Sequence, residues 1–132
     1  MRKTAEVWRV DTEAWFTVDR LSRWYGGDYA VTRLVSAQAD HVPTQHAAWR
    51  QYVVTYKPLG LKVGSVFRSV RQARFLAERL ASDRRFTMNI PRTQEAYAAW
   101  VRSPECKAMQ KVGAAYEREA KAYDVGGYQA CR

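Results

Sequence analysis

Residues 52–81 read YVVTYKPLGLKVGSVFRSVRQARFLAERLA. Tyr52 to Tyr56 is wholly β-branched or aromatic, the composition that fills a pleated, half-buried surface. Lys57-Pro58-Leu59-Gly60 follows, with proline second and glycine fourth, as a type I turn favours. Leu61 to Phe67 returns as a partner strand, so this part is expected to be a hairpin. Ser69-Val70-Arg71-Gln72 then fits a capping box, in which the serine hydroxyl and the glutamine side chain satisfy opposite backbone N–H groups. The helix it opens is expected to run to about Ser82. At about 100° per residue, Val70, Ala73, Leu76, Ala77, Leu80 and Ala81 gather on one side. The side-chain period thus changes from two to about 3.6 within this stretch, and the chain divides there into strands before and helices after.

Toward the N-terminus the strand reading continues. Glu6 to Val10 and Trp15 to Asp19 flank a turn over residues 11–14 and form a second hairpin. Gly26-Gly27-Asp28 marks a turn, because glycine accepts positive φ at no steric cost. Tyr29 to Val35 follows as a strand, and residues from about Ala37 to Gln45 read as loop. Tyr29-Ala30-Val31-Thr32 echoes Tyr52-Val53-Val54-Thr55, a likeness that shared strand propensity explains.

Toward the C-terminus a helix is expected from near Thr93 to near Arg102. Ser103-Pro104-Glu105 restarts it, with serine as cap, proline in the first turn and glutamate at the positive dipole end. The restarted helix is expected to run to about Tyr123, where Gly126-Gly127 stops it. It carries Met109, Val112, Tyr116, Ala120 and Tyr123 on one face. The predicted class is α+β: an N-terminal antiparallel sheet of about five strands followed by three C-terminal helices. The expected organisation is a single domain over 1–132, strand-rich over 5–68, helical over 69–123, with a short tail over 124–132.

The chain has 132 residues, of which 47% are hydrophobic and 13% aromatic, enough for one core. No window approaches the ~20 apolar residues of a membrane-spanning helix. The basic start Met1-Arg2-Lys3 meets Glu6, Arg9 and Asp11 rather than an apolar run, so no signal peptide is read there. Cys106 and Cys131 do not make a disulfide framework, and a cytoplasmic protein with free thiols is expected.

Net charge is +9, from 22 Lys plus Arg against 13 Asp plus Glu. A field of that sign draws polyanions or an acidic protein face. The polar side of helix 70–81 carries Arg71, Arg74, Glu78 and Arg79, with Phe75 among them at helical spacing from Arg71 and Arg79. Two readings of Phe75 stand side by side: an anchor on a contact face, or a ring covered by the last helices. Arg84 and Arg85 extend the basic run, and Arg92 follows. Lys57, Lys62 and Arg68 come from the preceding hairpin. The expected binding set is therefore Lys57, Lys62, Arg68, Arg71, Arg74, Phe75, Arg79, Arg84 and Arg85.

Residues 61–77 resemble the strand–turn–helix half of β-sheet DNA-binding domains, the ethylene-response-factor type and its relatives in phage integrase arm-binding domains. The likeness is carried by Gly64, Phe67, the Ser69 cap, and Ala73 and Ala77 in the helix. One extra residue between Gly64 and Phe67 departs from that pattern, as does the lack of the family's Trp and Arg pattern on the preceding strands. The resemblance implies a β-ribbon that enters a DNA groove. Size, basicity and Arg/Ala/Trp usage also resemble small tailed-phage accessory proteins.

Enzyme signatures are missing, and a non-enzymatic protein without cofactor is expected. His41 and His46, with Asp40, lack further ligands at zinc spacing. Gly26-Gly27 lacks the spacing and lysine of a phosphate loop. Cys106 stands near a helix start, where the dipole lowers thiol pKa, but the sequence offers it no base partner. Asp11, Glu13 and Asp19 identify no hydrolase. The leading expectation is a nucleic-acid-binding protein encoded by a phage or prophage. The alternative is an inhibitor or adaptor that docks on an acidic surface of a host enzyme or immune complex. Both leave a homodimer open.

Overall fold

A computed structural model describes residues 3–10, 12–34 and 51–130, with side chains as far as Tyr123. Five strands come first: β1 Thr4–Arg9, β2 Ala14–Asp19, β3 Tyr29–Arg33, β4 Tyr52–Tyr56 and β5 Leu61–Phe67. Four helices follow: α1 Val70–Ala81, α2 Arg84–Met88, α3 Gln94–Trp100 and α4 Pro104–Ala130. The class is α+β, sheet first and helices last, as the change of period indicates.

The five strands do not share one sheet. β1 and β2 form a two-stranded antiparallel ribbon, and β3–β4–β5 form a separate antiparallel sheet in that order. The two are stitched by single bonds rather than a ladder. Trp8 N–H donates to the Gly60 carbonyl at 2.8 Å and Leu21 N–H to the Val31 carbonyl at 2.8 Å. β1 buries its alternate residues Ala5, Val7 and Arg9. β3 is buried on both faces through Thr32, and β4 from Val53 onward. Thr32 and Thr55 meet hydroxyl to hydroxyl at 2.8 Å on the face away from the main core, so neither buried oxygen is left without a partner.

The core lies on the other face. Tyr29 pairs across strands with Tyr56, and Val31 with Val54. These four pack with Ala73, Leu76, Ala77 and Leu80 of α1. Leu76 and Leu80 are no more than 1% exposed, and burial of one such side chain is worth about 1.5–3 kcal/mol. The Tyr29 hydroxyl donates to the Phe86 carbonyl at 2.5 Å, which ties α2 to the sheet. Burial pushes the Tyr29 phenol well above its ordinary pKa.

α1 opens as its sequence indicates: the Ser69 hydroxyl accepts from the N–H groups of Arg71 at 3.1 Å and Gln72 at 3.4 Å. The second half of the capping box is not made. The Gln72 amide instead donates to the Lys121 carbonyl at 2.9 Å, a tertiary bond to α4. Two helical expectations are corrected. Asp83 caps an additional short helix, α2, whose Phe86 is buried in the core. The last helix does not end at Gly126-Gly127 but continues to Ala130. Two glycines cost a helix about 1 kcal/mol each without forbidding it.

Candidate nucleic-acid interface

α4 runs back along α1, the start of α1 lying against residues 121–123 of α4 and Arg79 against Tyr116 and Glu119. Gln72 reaches Lys121, and Arg79 reaches Glu119. This crossing decides the fate of Phe75. Its ring is half-buried and stacks on Tyr123, centroids 4.8 Å apart and planes at 27°. The last helix therefore covers one side of Phe75, while Tyr123 stays 46% exposed. Arg71 lies with its guanidinium carbon 5.9 Å from the Tyr123 ring centre. Arg71, Arg74, Phe75, Glu78 and Tyr123 together line a groove of about 240 Å³. Positions 71, 74, 75 and 78 are neighbours on a helix surface, so α1 supplies one wall by its geometry alone.

A second aromatic–cation group adjoins Arg74. Its Nε donates to the Tyr25 hydroxyl at 3.1 Å, and Arg23 sits 4.8 Å over the same ring. On the preceding residue, Trp24, Lys57 Nζ lies 5.1 Å and the Arg20 guanidinium 5.5 Å from the ring centre. Contact with an aromatic face steadies a cation without neutralising it. Among the described residues, Arg23, Lys57, Arg71 and Arg74 have no carboxylate partner in an ion pair.

Other cations of the expected set have different surroundings. Arg79 pairs with Glu119 at 3.4 Å and lies 4.7 Å over the Tyr116 ring. Arg85 grips Asp83 with two bonds, at 3.0 and 2.7 Å. Arg92, outside the expected set, does the same to Asp28, at 2.8 and 3.1 Å. Arg84 is exposed and points a guanidinium nitrogen at Met88 Sδ, 3.8 Å away. Arg68 is exposed at the end of β5. Lys62 lines a different cavity, between β5, α1 and the α3–α4 arm. The fold thus gathers Arg71, Arg74 and Phe75 into one groove and joins Lys57 to its neighbourhood. It places Lys62 elsewhere and holds Arg79 and Arg85 against its own carboxylates.

Sequence reasoning missed Arg20, Arg23, Trp24 and Tyr123 as members of this surface, and the buried Tyr25 as the residue whose hydroxyl accepts from Arg74. Arg23-Trp24 ahead of a double glycine is a signal that a basic, aromatic turn is presented there.

The remaining chemical candidates contribute no site. His41, His46, Asp40, Asp11 and Cys131 lie outside the described residues. Glu13 sits in the β1–β2 turn at φ 49°, at the opposite end of β2 from Asp19, which is 3.9 Å from Arg33. Cys106 is buried, and burial pushes its thiol pKa up. Among the described residues no group of His, Cys, Asp and Glu is arranged to hold a metal, and no helix is long and apolar enough to cross a membrane. No protein-family model, curated protein or solved structure matches this chain.

Proposed function

We propose that this protein binds nucleic acid without transforming it, through the groove between α1 and the Tyr123 end of α4. The observation that carries the reading is the company Phe75 and Tyr123 keep. Two stacked rings lie among arginines that make no ion pair with a carboxylate of the described residues, Glu78 acting on Arg74 only from one helical turn away. Guanidinium forks suit phosphate oxygens, and an exposed ring offers a face to an unpaired base. Arg23 and Lys57 extend the positive surface away from the groove along Tyr25 and Trp24. Glu78 lines the same groove one turn beyond Arg74, so phosphate is favoured at the Arg71 end.

The test is fluorescence anisotropy with labelled single- and double-stranded oligonucleotides between about 50 and 200 mM salt. Each phosphate neutralised in a single strand contributes a slope of about −0.7 to log K against log salt. Four cations then predict a slope near −3 and tighter binding of the single strand. An affinity that is flat in salt overturns the reading. A partner recovered from lysate that survives nuclease treatment and carries an acidic face favours docking on protein instead.

A further inference from the structure

We infer that Glu78 selects the base at the α1 groove, and that the occupant it favours is a guanine of a single strand. The inference rests on the proposed reading of that groove as a nucleic-acid site and adds which base lies there. The groove holds about 240 Å³ and is lined by two arginines, two rings and one carboxylate. A surface built for phosphate alone gains nothing from that carboxylate, which repels an anion. Glu78 is exposed, and among the described residues no donor is bonded to its side chain. Carboxylate oxygens only accept, so whatever meets them in the groove must bring donors. In a nucleic acid those are the amino and imino groups of the bases and, in RNA, the 2′-hydroxyl.

Spacing along α1 sets the orientation. Glu78 stands seven positions after Arg71, nearly two helical turns or about 10.5 Å of rise. Arg74 and Phe75 lie between them on the same surface. A nucleotide laid along this line puts its phosphate at Arg71 and Arg74, its base on the Phe75–Tyr123 rings and its Watson–Crick edge at Glu78. The Nε bond to the Tyr25 hydroxyl at 3.1 Å steadies Arg74 and uses one of its five donors. Tyr123 stays 46% exposed, so ring surface is open to a base. The bases differ in what they offer Glu78. Guanine presents an imino and an amino N–H side by side, which match the two oxygens of a carboxylate. Adenine and cytosine present one amino group. Thymine and uracil present one imino N–H between two carbonyl oxygens, which the carboxylate repels. Guanine is therefore favoured and thymine disfavoured.

The test is anisotropy with the full chain, a labelled oligothymidylate of about eight nucleotides, and copies in which one central base is guanine, hypoxanthine or adenine. All are DNA, so no 2′-hydroxyl competes for Glu78. The copy with guanine is expected to bind about tenfold tighter than oligothymidylate. Hypoxanthine, which lacks the amino group, is expected to bind about three- to fivefold more weakly than guanine. The guanine preference should hold between about 50 and 200 mM salt while every affinity falls, because a bond to a neutral base releases no counterion. Glu78→Ala places the best helix former at an exposed helical position, so the fold is expected to persist. That variant is expected to bind oligothymidylate at least as tightly as the native chain and to lose the preference, whereas a merely structural role for Glu78 would lower all affinities together. Free guanosine monophosphate should displace the labelled strand only at far higher concentration than the unlabelled strand does. The inference is overturned if the guanine and thymine strands bind equally, if the preference survives in Glu78→Ala, or if the free nucleotide competes as well as the strand. Failure of every oligonucleotide to bind overturns the nucleic-acid reading of the groove as well, whereas equal binding of all four leaves that reading standing.

Discussion

The ring of Phe75 lies 4.8 Å from that of Tyr123, and the contact joins residues of two helices that cross antiparallel. Phe75 is therefore both an anchor of the helix pair and a wall of the groove, whereas Tyr123 is chiefly a wall. Tyr123→Ala is expected to weaken single-strand binding by about 1–2 kcal/mol, roughly tenfold, with melting temperature nearly unchanged. Phe75→Ala is expected to weaken binding comparably and also to lower stability, because it removes a half-buried ring. Paired measurements of affinity and thermal unfolding check both. An unaltered affinity in Tyr123→Ala excludes the ring from the binding surface.

The two groups of arginines predict a contrast within one helix region. Arg71→Ala with Arg74→Ala removes two cations without carboxylate partners and is expected to flatten the salt slope by about 1.4. Arg85→Ala removes a cation already gripped by Asp83 and is expected to leave the slope near its native value. Anisotropy titrations at three salt concentrations separate the two. Equal losses in both variants mean that binding follows overall charge and not the groove.

Much of the architecture was legible because local and long-range signals agree over residues 52–81. β-Branched strand, turn and capped helix each carry their own chemistry, and the structure has the strand at Tyr52–Tyr56 and the helix at Val70–Ala81. α2 was not legible. It has five residues, and its first positions, Arg84 and Arg85, oppose the positive dipole end of a helix. Only the Asp83 cap announces it, and burial of Phe86 stabilises it. The site was half legible for a related reason. Helical periodicity puts Arg71, Arg74 and Phe75 on one side, but says nothing of what another element brings to them. Glu119 reaches Arg79 from 40 residues away, and Asp28 reaches Arg92 from 64. Such pairs depend on how elements cross, which no local spacing encodes.

Asp83 predicts an acid-sensitive joint. Its carboxylate caps α2, accepts two guanidinium bonds from Arg85 and receives the Tyr116 hydroxyl at 2.6 Å, with the side chain only 11% exposed. The bonds from Arg85 above all hold the carboxyl well below its ordinary pKa, against the opposing effect of burial. The native state therefore binds this proton less readily than the unfolded chain does. Its contribution is complete above the unfolded value of about 3.9 and fades as pH falls below it. Asp83→Ala loses cap, ion pair and acceptor at once, an expected cost of about 2–3 kcal/mol at neutral pH. That cost should shrink steadily as pH falls below about 4. Chemical denaturation of both proteins at a series of pH values checks the sign. A difference that is constant with pH rules out the carboxylate as its source.

Gly60 predicts the sharpest single loss of stability. It closes the β4–β5 turn at φ 64°, a conformation that costs a residue with Cβ about 1–2 kcal/mol. Space adds to that cost. A Cβ there would lie 2.3 Å from Trp15 Cζ3 and 2.8 Å from the backbone nitrogen of Trp8, whose N–H donates to the Gly60 carbonyl. The indole of Trp15 can shift, but the Trp8 nitrogen belongs to β1 and moves only with the ribbon. Gly60→Ala must therefore loosen the joint between the β1–β2 ribbon and the β3–β4–β5 sheet. Gly27 supplies the control, since it has φ 84° and no atom within 4 Å of its Cβ position. Gly27→Ala is expected to cost about 1 kcal/mol and Gly60→Ala at least about 3 kcal/mol, seen as a melting temperature lower by about 10 °C or more. Trp8 and Trp15 stand edge to face at 5.5 Å, so the near-ultraviolet circular dichroism of Gly60→Ala should also change while that of Gly27→Ala does not. Equal melting temperatures for the two variants would mean that the ribbon and the sheet are not held together at Gly60.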